Sequence, residues 1–279
     1  MRGSKRRNDH SLFFSILLLT AGIAVLLYPT VSDAWNKHRA KQLITQYEAA
    51  SVDIDTEEYD AILAEARSFN EAHHHNTYLD SFGNTQTAHS EEYERLLNPL
   101  GDGTMGYIEI PKIHVSIPIA HGLSAEVLEN GAGHLEGTSL PVGGESTHCV
   151  LAGHRGLPTA RLFTDLDQMK EGDRFYLHIL QDVYAYEVTS IETVLPDETE
   201  SLDIHNGKDE VTLVTCTPYG VNTQRLLVTG TRAELEEEEK AALKTASSED
   251  SGESFRVLVR ILGTILIPVI ILIVLVVYT

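Results

Sequence analysis

Two apolar runs bracket the chain and constrain everything between them. Ser11 to Tyr28 is almost wholly apolar and stops at Pro29, and Val257 to Tyr278 is apolar again. Each is long enough to cross a bilayer, the first as a thin or slightly tilted span. Arg2, Lys5, Arg6 and Arg7 precede the first run, so residues 1–10 read as a cytoplasmic basic tail and 11–29 as an anchor. No Ala-x-Ala site closely follows that run, which favours an uncleaved anchor over a removed signal peptide. A second span over 255–279 would bring the chain back, with Arg256 and Arg260 snorkelling at the outer interface. No basic tail follows Tyr278, so this end departs from the usual charge pattern. The working part of the chain then lies outside the cytoplasm.

That part is read in four pieces. Residues 33–75 predict a helical extension of two helices. The first runs through Trp35, Leu43, Ile44 and Tyr47. The second has Asp55 or Thr56 as N-cap, Glu57 and Glu58 in its first turn, and a stripe of Tyr59, Ile62, Leu63, Ala66 and Phe69. The stripe predicts packing against a larger body. Residues 76–100 form a long polar connection, of the length that lids and binding loops have. From 101 to 232 the pattern is many short β-rich runs punctuated by Gly and Pro, which predicts a closed or partly closed barrel. Residues 233–254 are acidic and then small and polar, an expected tether.

Composition excludes some functions. A net charge of −20 argues against nucleic-acid binding, which needs clustered Lys and Arg to neutralise phosphates. Two cysteines, Cys149 and Cys216, make no disulfide framework, and both are expected to stay as thiols. His73, His74 and His75 are adjacent, and three neighbours on a regular helix cannot all face one ion. No metal and no cofactor are expected.

The chemistry concentrates in two strand ends. Val211 to Thr215 is a strand, Thr217-Pro-Tyr-Gly220 is turn chemistry, and Gln224 to Thr231, with the β-formers Leu226 to Val228 inside it, is the returning strand. Cys216 therefore sits where a buried strand opens into a loop, and Arg225 starts the next strand nine positions later (225 − 216). Upstream, Thr147 to Ala152 is another strand, followed by Gly153-His154-Arg-Gly156. A Cys, a His and an Arg at strand ends suit a thiolate nucleophile, its proton partner and an oxyanion or substrate clamp. His134 and His148 are the competing bases, and both read as structural. Cys149, inside a strand, reads as packing.

Leu213-Val-Thr-Cys216-Thr-Pro-Tyr-Gly with Arg225, preceded by Leu151-Ala-Gly-His154-Arg-Gly, resembles the sortases. The strings Met105-Gly-Tyr-Ile-Glu-Ile-Pro-Lys-Ile113 and Gly133-His-Leu-Glu-Gly-Thr-Ser-Leu-Pro-Val-Gly-Gly144 are similar to class C sortases, the pilin polymerases of Gram-positive bacteria. The resemblance spans roughly Trp35 to Arg232. It implies a mainly β fold, a sortase-type barrel of about eight strands with short helices. It implies a second membrane anchor and an extracytoplasmic catalytic domain. It also implies cleavage of an LPxTG-like signal between Thr and Gly through a thioacyl enzyme on Cys216, and transfer to a pilin Lys. His154 would be the general acid and base, and Arg225 the stabiliser. In class C a lid carries an Asp that pairs with the catalytic Arg and an aromatic that covers the Cys. Asp80 and Phe82 match it, with Ser81 in place of the usual Pro. The expected partners are pilin subunits and the membrane. Three rival readings share these residues: wall anchoring onto a peptidoglycan precursor amine, simple proteolysis with water as acceptor, and a non-catalytic membrane-tethered scaffold that binds pilins.

Overall fold

A computed structural model describes residues 3–73, 90–237, 239, 240, 243 and 263. The second apolar run, apart from Gly263, lies outside them, and so do Asp80, Phe82, His74 and His75. The first helix, α1 (Gly3–Asp53), is continuous from the basic tail through the apolar run and into the extension, with Pro29 inside it. Its apolar part is exposed along nearly its whole length, as an anchor requires. Its last third docks. Tyr47 is 1% exposed and donates its hydroxyl to the Met105 carbonyl at 2.7 Å while accepting from the Leu180 amide at 2.7 Å. α2 (Thr56–Ala72) begins at Asp55, whose carboxylate accepts from the Glu58 amide, and buries Leu63 and Ala66 from its expected stripe. The second half of the polar connection is ordered too. Ser90 caps α3 (Glu91–Arg95), which brings Tyr93, Leu96 and Leu97 into the core.

Eight strands follow, with a short helix, α4 (Ala125–Asn130), between the second and third. They are β1 (Thr104–Ile110), β2 (Val115–His121), β3 (Ala132–His134), β4 (Thr147–Ala152), β5 (Arg174–Ile179), β6 (Asp182–Val194), β7 (Asp209–Thr217) and β8 (Gln224–Ala233). They close in the order β1-β2-β3-β4-β7-β8-β6-β5, so the barrel has no free edge. Most neighbours are antiparallel, but β2 with β3 and β4 with β7 run parallel. Inward residues such as Ile108, Ile119, Leu151, Phe175, Leu213 and Val228 are all fully buried. Each such side chain stabilises the fold by about 1.5–3 kcal/mol relative to exposure.

β7 lies between β4 and β8 and carries Cys216 near its end. Covered on both faces, it is buried without a break from Glu210 to Thr215, and burial ends at Cys216. The strand is thus a fixed rail with its last two residues at the surface.

Tyr93 ties α3 to the barrel. Its side chain is fully buried, and its hydroxyl accepts from the Gly122 amide at 3.0 Å. It lies 2.8 Å from His134 Nδ1. His134 Nε2 sits 2.9 Å from the Ser139 carbonyl, which can only accept, so Nε2 carries the proton and Nδ1 accepts from Tyr93. Tyr93→Phe removes both the donor to His134 and the acceptor for Gly122. The expected loss is about 1–3 kcal/mol, read as a lower midpoint in urea unfolding with an unchanged slope.

Candidate functional site

Strand register assembles the site. β4 and β7 are parallel with Ala152 opposite Val214, an offset of 62 positions (214 − 152). The chain holds that offset past the end of β4. Gly153 donates its amide to the Val214 carbonyl at 3.0 Å, and its own carbonyl accepts from the Thr215 hydroxyl at 2.7 Å. His154 follows Gly153 directly, and Cys216 follows Thr215, so one residue separates each from this last hydrogen bond between the two segments. On the other side of β7, Cys216 is the antiparallel partner of Arg225. Directly opposed residues of an antiparallel pair project to one face with Cβ atoms about 4.5–5.5 Å apart. Cys216 and Arg225 therefore share one level of β7 and β8, His154 lies in the loop two residues beyond the end of β4, and all three are partly exposed.

The loop after β4 is shaped to hold His154. A Cβ on Gly153 would come within 2.6 Å of the Phe163 ring, so only Gly lets this ring lie under the turn. The His154 carbonyl accepts from the Phe163 amide at 3.1 Å. Gly156 turns the chain at φ +77°, a left-handed conformation that favours Gly. Arg155, which sequence reasoning did not single out, clamps the other side. It donates to the Thr217 hydroxyl at 3.1 Å, pairs with Asp167, and lies 5.9 Å from the Tyr219 ring centroid. Its side chain is 8% exposed, so a buried cation ties the loop after Cys216 to the loop carrying His154. No spacing rule points to it, because its partners are 12 and 62 positions away.

Burial lowers the pKa of His154 below the ordinary imidazole value of 6.5, and the Glu129 carboxylate partly offsets this. At neutral pH the imidazole is mainly neutral and able to take a proton. An activity that needs this base rises with pH through the His154 pKa, so its acid limb lies below pH 6.5. Glu129→Gln removes the charge that favours imidazolium. The limb of kcat/KM against pH is expected to move further down, and an unmoved limb would detach His154 from it.

The other candidates part company. Cys149 is 3% exposed and burial pushes its thiol well above the ordinary value, so it is inert packing. Neither cysteine is in a disulfide. His134 is held as described above. His148 is fully buried, with Nδ1 on the Asp203 carbonyl at 2.9 Å and Nε2 on the Thr212 hydroxyl at 2.7 Å. His148, His205 and Glu210 place ligand atoms within 4.8 Å of one another. Both His148 nitrogens are engaged, and Glu210 binds His205 and Lys208, so the group reads as a satisfied polar cluster.

Comparisons with known proteins bear on the family and the fold. The family model described as Sortase domain matches residues 108–233. Sortase A of Bacillus anthracis is 34% identical over 126 residues, covering 45% of this chain and 58% of that protein. The chain spans between 53% and 63% of the length of the first curated relatives it matches. Solved structures match more fully. Sortase C of Streptococcus pneumoniae is 44% identical, covers 70% of this chain and 97% of its own, and superposes with a TM-score of 0.65. Sortase C-1 of Actinomyces oris is 46% identical, covers 63% of this chain and 98% of its own, with a TM-score of 0.60. A closed eight-stranded barrel of this connectivity, matched over nearly the full length of solved class C enzymes, places the chain in the sortase family, in class C.

Proposed function

We propose that the protein is a membrane-anchored cysteine transpeptidase that cleaves an LPxTG-like sorting signal between Thr and Gly and joins the acyl fragment to a pilin Lys. The observation that supports the reading is the register pair of Cys216 with Arg225 on β7 and β8, together with the Gly153–Thr215 hydrogen bond that ties the His154 loop to the strand end bearing Cys216. The neutral His154 takes the thiol proton as Cys216 sulfur attacks the Thr carbonyl carbon. Arg225 donors hold the oxyanion of the tetrahedral intermediate. The C–N bond breaks, His154 returns the proton to the leaving amine, and a thioester remains on Cys216. An incoming amine attacks that thioester, gives its proton to His154, and expels the thiolate. One amide bond is lost and one is made, with no net redox change.

The acceptor is the finer part of the proposal. Support comes from the class C neighbours, among which the S. pneumoniae enzyme was described for its pilin substrate specificity. The test is competition. The acyl enzyme is offered a peptide with a pilin-type Lys, a peptidoglycan-type amine, and water alone. Selective Lys ligation supports the reading, and selective use of the wall amine would replace it with wall anchoring.

Within this reading Asp80 and Phe82 cover the site, the carboxylate against Arg225 and the ring against Cys216. Replacing both by Ala is expected to speed labelling of Cys216 by a thiol reagent about tenfold, as a gate opened by about 1.4 kcal/mol would. An unchanged rate would remove the lid from the account.

A further inference from the structure

We propose that the active-site end of the barrel rests on the outer face of the membrane, with Trp35 and the Tyr219 loop seated in the lipid headgroups. This rests on α1 being the anchor of the reading above. The helix is continuous across the apolar run and the docked segment, so the span and the barrel share one helix. Tyr28, 56% exposed, ends the apolar run, and Trp35, 55% exposed, follows two turns later. Seven residues advance a helix by about 10 Å and rotate it by only about 20° from its starting face. Both aromatics therefore lie on one exposed face, at the depths where aromatic side chains anchor to a bilayer surface. The headgroup layer is about 5–7 Å thick on each side.

Around the Trp35 level the helix grips the loop that follows His154. Asp33 accepts from the Arg161 amide at 2.9 Å, and Asn36 donates to the Thr159 carbonyl at 2.9 Å. Arg161 is two residues, at most about 7 Å of chain, from Phe163, whose amide binds the His154 carbonyl. The path to the exposed side is as short. The Arg161 carbonyl accepts from Thr164, and the Thr164 hydroxyl accepts from the Gly156 amide. Gly156 faces the Tyr219 ring. Tyr219 and Val221 are 61% and 63% exposed. Outside the span, the exposed large apolar side chains among the described residues are Trp35, Val52, Leu195, Tyr219 and Val221. Three of the five are Trp35 on α1 itself and Tyr219 and Val221 in the loop that this path links to Asp33. An aromatic and aliphatic rim continuous with a lipid-exposed span fits a bilayer surface as its cover.

Trp35 is the single tryptophan of the chain, so the unaltered protein reports on itself. The full chain is reconstituted in phosphatidylcholine–phosphatidylglycerol vesicles. Quenching is compared for head-group spin-labelled lipid, lipid labelled near the chain end, and aqueous iodide. A second protein, Trp35→Phe with Tyr219→Trp, moves the reporter to the active-site loop. The proposal expects both reporters to lose most of their emission to the head-group label and little to iodide. Iodide quenching of Trp35 as in free tryptophan would overturn it. So would a shielded Trp35 with a fully iodide-accessible Tyr219→Trp reporter, because the site would then stand clear of the lipid. Failure of the parent to float with vesicles would overturn the anchor and the proposal together. Loss of transpeptidation in either protein would bear on the function alone.

Discussion

Cys216→Ala is expected to lower kcat/KM for a sorting-signal peptide by a factor of about 10⁴ or more, to the level left by binding and oxyanion stabilisation alone. The effect is large because every covalent step of the proposed reaction passes through one sulfur. Cys149→Ala is the matched control. It deletes the other thiol, which is buried in the main core and out of reach of any substrate. Its cost is expected in stability, with turnover of the folded fraction unchanged. Initial rates on both variants at matched folded concentration, with folding checked by near-UV circular dichroism, decide the matter. Equal losses in the two would mean that the barrel core, not the nucleophile, had been probed.

The second large effect is at Arg225. Arg225→Ala is expected to cost a factor of about 10²–10³, the loss seen when one oxyanion donor is removed. The loss should fall in kcat more than in KM, because the oxyanion exists only in the transition state and the intermediate. Arg225→Lys keeps the charge but not the planar fork of five N–H donors. It should recover part of the rate and not all of it. A loss confined to KM would make Arg225 a substrate-backbone clamp instead. Steady-state kinetics on the two variants separates these roles.

Much of this was legible in the chain. The β4 range was readable to the residue, and β7 and β8 to within two, because a β-rich run bounded by turn chemistry leaves little freedom. Asp55 as a cap and the α2 stripe were readable for the same local reason. Pairing was not local. That β4 lies parallel to β7 depends on contacts 62 positions apart, and no periodicity reports them. Residue types and motif context point to the candidates, while the Cys216–Arg225 pairing is a matter of register. Pro29 marked a boundary in the sequence, yet α1 runs through it. The tertiary contacts of Asp33, Asn36 and Tyr47 oppose an interior proline's cost of about 3 kcal/mol. In the polar connection, Tyr93, Leu96 and Leu97 do stand at helical spacing, but three apolar residues among glutamates are too short a stripe to read. Arg155 was invisible because its role is to join two loops that meet only in the folded barrel.

The most direct measurement is intact mass of the full chain in detergent after incubation with an LPxTG peptide, run beside Cys216→Ala. The expected product is a thioacyl adduct with the mass of the peptide's N-terminal fragment through Thr. That adduct is present in the parent, absent in Cys216→Ala, and discharged by an added Lys peptide with release of the ligated product. Peptide cleavage at an unchanged rate in Cys216→Ala, or an adduct that survives that substitution, would contradict it.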